Sequence, residues 1–371
     1  MDIDRNTLLP YRVAFNHVHG IGPVREELLS NYFGSLEEAW NAPADALHGA
    51  GLPWRAIDSL VAFRGTHDPH ELTQSILDRH IQITIPEADD YPVLLKEIQN
   101  PPPLLYYAGK LPASNEKLLS IVGTRRVTQW GRNTTREMAG FLTVHGVGVV
   151  SGLARGVDGI AHQTVLDYGG KTYGVLGCGI DHIYPPEHRD LARKMAHSGA
   201  VISEYPPGTP PDKSNFPQRN RIISGMSSGC LVIEAGERSG SLITARFAAE
   251  QGREVFVIPG NYGSVQSKGA NSLIRSGAQI IVDKEELLDF LQTWQAVMPE
   301  KQPLPMQMSF ASPEDQKILQ AIESEPLHVN EISRVTGIPI PRIASQVILL
   351  ELQGFIQETA PQTYQKMNFQ Y

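Results

Sequence analysis

Seven short apolar segments recur through the middle of this chain: LLSIVG (118–123), VGVVSG (147–152), TYGVLG (172–177), AVISEY (200–205), CLVIEAG (230–236), EVFVIPG (254–260) and QIIVD (279–283). They are rich in Val and Ile and do not alternate with polar residues. Runs of this length and composition suit strands buried on both faces of a parallel sheet. The gaps, roughly 25 to 30 residues, leave room for one helix and its turns. That rhythm predicts βαβ units and a Rossmann-like, doubly wound, mostly parallel α/β sheet. In such a sheet, ligands bind outside the carboxyl ends of the strands. The loops that follow these segments are therefore the places to look for function.

The flanks lack the beat. Residues 1–68 are helical in pattern and contain HGIGP (19–23), a glycine-rich turn of the helix-hairpin-helix or SAM kind. Residues 69–297 form the expected extended Rossmann-like domain, with two further strands in IQITIP and LLYYAG. Residues 298–312 shift to Pro, Met and Gln and read as a linker. In residues 313–371, EDQKILQAI precedes NEISRVTG, where Asn330 can cap a helix and Gly337 can end it. Pro341 then opens IASQVILLELQG, which closes at Gly354. Helix, helix-turn-helix and short strands make the pattern of a winged helix.

No run of about 18 uninterrupted apolar residues occurs, so no membrane span is expected. The acidic start MDIDRNTLLP lacks the basic region of an export signal. Cys178 and Cys230 lie apart, outside any CxxC pair, and fit a reducing cytoplasm as small buried hydrophobes. The twelve histidines show no metal-ligand spacing. No GxxxxGK[ST], HExxH or GxSxG with a fitting context occurs and GxGxxG is absent, so no metal and no cofactor is expected. The net charge of −8 means that an anion can be held only where positive charge is locally concentrated.

Four strand-end loops supply that concentration. The first is Gly123-Thr124-Arg125-Arg126, within a stretch from Lys117 to Arg136 holding five basic and no acidic residues. The second is Ser151–Asp158, where Gly152 and Arg155 are candidate phosphate contacts and Asp158 orients the following helix. The third runs into Phe216-Pro217-Gln218-Arg219-Asn220-Arg221. Arg219 and Arg221 cannot share a helical face, and Phe216 beside arginines suits base stacking. The fourth is Glu234–Thr244, with Ser239, Gly240 and Ser241 at a helix start. Lys171, before the third strand, adds a possible positive rim.

GTRR (123–126), SGLARGVDGIAH (151–162), GCGIDHIYPPEH (177–188), SEYPPGTPP (203–211), FPQRNRIISGMS (216–227) and EAGERSGSLITA (234–245) together resemble the DNA processing protein A family, DprA or Smf. Their order and spacing match over roughly residues 80–285. The resemblance implies a homodimer that binds and protects incoming single-stranded DNA and loads the RecA recombinase onto it during natural transformation. It places the DNA site at Gly123, Thr124, Arg125, Gly152, Lys171, Phe216, Arg219, Asn220, Gly240 and Ser241.

The rival reading is an enzyme of the lysine decarboxylase-like phosphoribohydrolase type, whose PGGxGTxxE loop carries a catalytic glutamate. Here Thr244 stands where that acid would be, and a hydroxyl cannot act as a carboxylate acid or base at neutral pH. The terminal regions are poor DNA readers by charge. Residues 1–68 carry nine acids against five arginines, and residues 310–360 seven acids against three bases. A non-enzymatic binding surface at the strand ends is the expectation.

Overall fold

The computed structural model describes residues 5–295, 313–322, 326–352 and 356–366. The 298–312 linker and Gly354 lie outside the described residues. All seven segments of the beat are strands. With the two expected before them they are β1 (Gln82–Thr84), β2 (Leu105–Gly109), β3 (Leu118–Val122), β4 (Gly148–Ser151), β5 (Thr172–Val175), β6 (Ala200–Ser203), β7 (Gly229–Val232), β8 (Glu254–Val257) and β9 (Gln279–Ile280). They form one sheet in the order β1-β2-β6-β5-β4-β3-β7-β8-β9. The seven strands from β6 to β9 are parallel; β2 joins β6, and β1 joins β2, in antiparallel register.

The central strands lack alternation because both faces are covered. Every residue of β3, β4, β5, β6 and β7 is buried. Leu118, Val122 and Val150 face a layer that includes helices Asn215–Gly225 and Ser241–Glu250, through Ile222, Ile223, Ala245 and Ala248. Leu119, Ile121 and Val149 face helices Gln129–Val144 and Val157–Asp167, through Met138, Leu142, Val157 and Ala161. Cys178 and Cys230 are buried free thiols, each pushed up to about 12 by burial. From β3 the chain steps outward through β4, β5 and β6, then returns past β3 to β7 and runs the other way. The order reverses between β3 and β7, which opens a crevice at their carboxyl ends.

Before the sheet, helices Arg5–His17, Pro23–Phe33, Leu36–Asn41, Ala44–Gly49 and Trp54–Arg64 enclose their own core around Phe15, Leu29, Trp40 and Leu60. In the HGIGP turn Gly20 takes a positive φ of 89° and Pro23 opens the next helix. The Gly20 carbonyl accepts a bond from the Arg25 side chain. Arg12 ties this unit to the sheet domain by pairing with Glu26 and Glu87 and donating to Pro103 O at 3.2 Å.

After the sheet, helices Pro313–Ala321, Val329–Thr336 and Ile340–Leu352 pack with β10 (Leu327–His328), β11 (Ile356–Ala360) and β12 (Thr363–Lys366) as a winged helix. Gly337 ends the middle helix in the left-handed conformation, as expected. The cap differs from the expectation. His328 occupies it, its ring nitrogen accepting from the Asn330 N–H at 3.2 Å, and Asn330 lies inside the helix.

His162, one turn beyond Asp158, serves the sheet. Its Nδ1 lies 2.6 Å from Thr172 Oγ1, which itself donates to Val149 O. The ring therefore donates from Nδ1, and among the described residues Nε2 is buried with no partner. A second proton would have no acceptor, and burial lowers the His162 pKa to about 3. In the unfolded chain the ring protonates below about 6.5. Between those limits only the unfolded state takes up the proton, so acid removes stability. Between pH 6 and pH 4 the wild type should lose stability more steeply than His162→Gln, by about 1.4 kcal/mol per pH unit. Equal slopes in urea titrations would contradict this assignment.

Candidate nucleic-acid interface

The loops after β3, β4 and β7 meet helix Asn215–Gly225 at the crevice where the strand order reverses. Their centre is a buried guanidinium. Arg219 is 3% exposed, and its Nη1 donates to Gly152 O at 3.1 Å and to Val175 O, joining the ends of β4 and β5. Its counter-charge is Asp158, which also accepts from the Gly152 and Ala154 N–H groups at 3.2 and 3.4 Å. Burial pushes the Arg219 guanidinium down to about 10, and burial raises the Asp158 carboxyl above its usual range. Each charge is desolvated, and each is stabilised by the other.

The glycines divide by role. A Cβ on Gly123 would lie 2.5 Å from Val157 Cγ2, and one on Gly152 2.8 Å from Arg219 Nη2. These two let the loops close on each other, and their small size is consumed inside the protein. Nothing lies within 4 Å of a Cβ on Gly240. That glycine borders open space, as a backbone that receives a ligand must.

The result is a cleft of about 540 Å³ whose lining includes Gly123, Thr124, Arg125, Arg126, Phe216, Asn220, Ser239, Gly240 and Ser241. Its charged lining comprises five basic residues, Arg125, Arg126, Lys213, Arg219 and Arg238, against the single acid Asp158. Among the described residues Arg125, Arg126, Lys213 and Arg238 form no ion pair, so their charge is available. A narrower pocket opens beside the cleft between Arg125, Gly152, Ala154, Arg155, Tyr184, Pro185, Phe216 and Arg219. Phe216 lines both. Its half-buried ring lies 5.5 Å from the Arg125 guanidinium carbon, 5.9 Å from that of Arg219 and 5.6 Å from the Tyr184 ring.

At the fourth loop, Ser239 and Ser241 share a hydroxyl bond of 2.7 Å, and Asn220 Nδ2 donates to Gly240 O at 3.3 Å. Thr244 is 2% exposed and lines the cleft, and among the described residues its hydroxyl has no protein partner. Glu234, 1% exposed, is turned away and accepts from the Thr128 N–H at 2.9 Å. The nearest acid of this loop is therefore occupied as a helix tether.

Three expected site residues sit differently. Lys171 precedes β5 at the amino end of the sheet, a strand length from the cleft, and pairs with Glu116 at 2.8 Å. Arg221 turns to the opposite side of its helix and pairs with the half-buried Glu204. Arg155 borders the narrow pocket, with its charge shared with Glu187. Lys213, Arg238, Tyr184 and Thr244 were not singled out as site residues. The two bases were legible in principle, since both lie in strand-end loops.

The sequence profile of DNA recombination-mediator protein A matches residues 82–292, and that of the DprA winged helix domain matches residues 299–360. This chain belongs to the DNA recombination-mediator protein A family. Protein Smf of Synechocystis sp. is 35% identical over 97% of this chain and 99% of that protein. DNA processing protein DprA of Bacillus subtilis is 42% identical over 56% of this chain and 71% of its own. Among solved structures, the X-ray structure of DprA from Streptococcus pneumoniae superposes with a TM-score of 0.65 at 31% identity, covering 75% of this chain and 95% of that one. DNA processing protein A from Helicobacter pylori superposes at 0.51 and 30% identity, covering 58% and 98%. That structure was reported for the unique single-stranded DNA binding mode of the H. pylori protein. The family match covers the strand-end loops that make the cleft.

If Arg219 is the internal brace of this family member's site, removing it leaves Asp158 buried without its counter-charge. Arg219→Met should cost about 3–5 kcal/mol of stability by chemical denaturation. Arg125→Met, at an exposed position, should change stability by less than about 0.5 kcal/mol. Equal costs would show that Arg219 is no brace.

Proposed function

We propose that this protein captures single-stranded DNA in the cleft at the β3/β7 switch point. The observation that carries the reading is charge: five bases to one buried acid in the cleft of a chain whose net charge is −8. Phosphate capture supplies affinity in such a site and makes it salt-dependent. Phe216, with Tyr184 behind it, offers a stacking face, and stacking accepts every base. The open Gly240 turn and the free Thr244 hydroxyl suit the approach of a phosphate to the helix at Ser241.

The wider role belongs to the same proposal. The protein acts as a homodimer that shields incoming single strands and loads the RecA recombinase onto them in natural transformation. Family membership supports this reading, and the H. pylori relative supports its single-strand binding. We assign no reaction to the cleft: Thr244 supplies a hydroxyl where the hydrolase reading needs an acid, and Glu234 is committed to Thr128. Among the described residues no group of His, Cys, Asp and Glu is arranged to hold a metal, and no helix is long and apolar enough to cross a membrane.

Arg125→Glu should weaken binding to oligo-dT by at least tenfold and flatten the dependence of affinity on salt. Lys171→Glu, at the other end of the sheet, should leave both near wild type. Fluorescence anisotropy from 50 to 300 mM salt measures the two together. A Lys171→Glu loss as large as that of Arg125→Glu would move the site away from the cleft.

A further inference from the structure

The winged helix meets the core through its third helix, Ile340–Leu352, the element that in duplex readers enters a groove. Ile348 and Leu349 are buried in the same apolar cluster as Ile76, Ile81 and Met195 of the core. Gln346, Glu351 and Asp315 are 2%, 4% and 0% exposed. Polar groups this buried need partners, and those of Gln346 and Asp315 lead out of the winged helix. Gln346 Nε2 donates to Asp315, whose other oxygen lies 3.2 Å from His80 Nε2. Gln346 Oε1 accepts from Arg79 Nε at 3.2 Å.

Arg79 then reaches a loop that leads to the site. Its Nη2 pairs at 2.9 Å with Asp181, 1% exposed, in the loop that follows β5. The second Asp181 oxygen accepts from the Gly208 N–H at 2.8 Å, in the loop that follows β6. The two loops are stitched again by Gly179 N–H to Thr209 O at 2.9 Å. Onward from these stitches, the first loop carries Tyr184 and the second runs to Lys213 and Phe216, which line the pocket and cleft. A second anchor holds the far end of the first loop: Arg189 Nη1 donates to Glu358 at 3.1 Å and Tyr364 at 2.8 Å in the wing.

We propose that Arg79 is a positioning residue that couples the seating of the winged helix on the core to the shape of the DNA cleft. This rests on the cleft reading above. Arg79 touches no cleft residue; it acts through Asp181 and the two loops that Asp181 holds. A seated winged helix fixes the Tyr184–Phe216 wall, and a displaced one releases it. Coupling of this kind is reciprocal, so DNA in the cleft must also tighten the winged helix on the core. A partner that took hold of helix Ile340–Leu352 would weaken the protein's grip on the strand.

The test uses the full chain, oligo-dT, and two variants from opposite ends of the relay. Arg79→Gln removes the hub, and Gln346→Met removes the winged-helix link while keeping the Arg79–Asp181 pair. Each should weaken oligo-dT binding by about fivefold or more, within the usual range of coupling. Neither should change the slope of affinity against salt, because no phosphate contact is lost. In wild type, oligo-dT should slow hydrogen exchange in residues 340–352, and both variants should abolish that slowing. Should Arg79→Gln fail to fold, Gln346→Met decides alone. Wild-type affinity for Gln346→Met overturns the coupling, as does a shallower salt slope for Arg79→Gln, which would make Arg79 a phosphate contact. Wild-type binding itself reports on the cleft, so a failure of that reading is seen separately.

Discussion

A guanidinium has been taken out of water at the point where the strand order reverses, and the site is arranged around it. Arg219 joins the carbonyl ends of β4 and β5, and Asp158 answers its charge while collecting the amides of the β4 loop. Burying two charges is costly, and the cost is offset only when the geometry is filled with bonds. Gly152 must be glycine because a Cβ there would press on both the Arg219 guanidinium and the Asp158 carboxylate. With these loops clasped internally, the exposed bases beside them have no ion-pair partner among the described residues and line the cleft.

The same arrangement separates holding from shaping. Arg125, Arg126, Lys213 and Arg238 carry free charge at the cleft, whereas Arg219 and Arg79 work inside the protein on backbone and carboxylates. An acidic chain can then present a basic surface over a small area, without the broad positive field that would hold any polyanion. Glu234 and Asp181 fit this division. Both are buried carboxylates at strand ends, and both tether loops by accepting backbone N–H groups.

Much of this was legible in the sequence, for a reason peculiar to parallel sheets. Strands buried on both faces are mostly apolar, so β3 to β7 announced themselves by Val- and Ile-rich runs, and the carboxyl-end rule then pointed to four loops. The same rule would have excluded Lys171, which precedes its strand; the family resemblance had placed it in the site. Helical spacing correctly separated Arg219 from Arg221, but which of them faced the strand ends depended on Glu204, a contact distant in sequence. Glycine roles were not readable, because the need for Gly123 and Gly152 arises from loops that meet only in the fold. The Arg79 relay joins positions 79, 181, 208 and 346, and no local pattern marks it.

The central claim is that the strand meets the protein at Phe216, between the free arginines of the switch-point cleft. Photocrosslinking of an oligo-dT carrying 5-iododeoxyuridine, followed by peptide mapping, tests it most directly, since the iodinated base reacts with the aromatic ring on which it rests. The account predicts crosslinks at Phe216 or Tyr184, lost in Arg125→Glu. Crosslinks confined to residues 5–77 or 313–366 would contradict it.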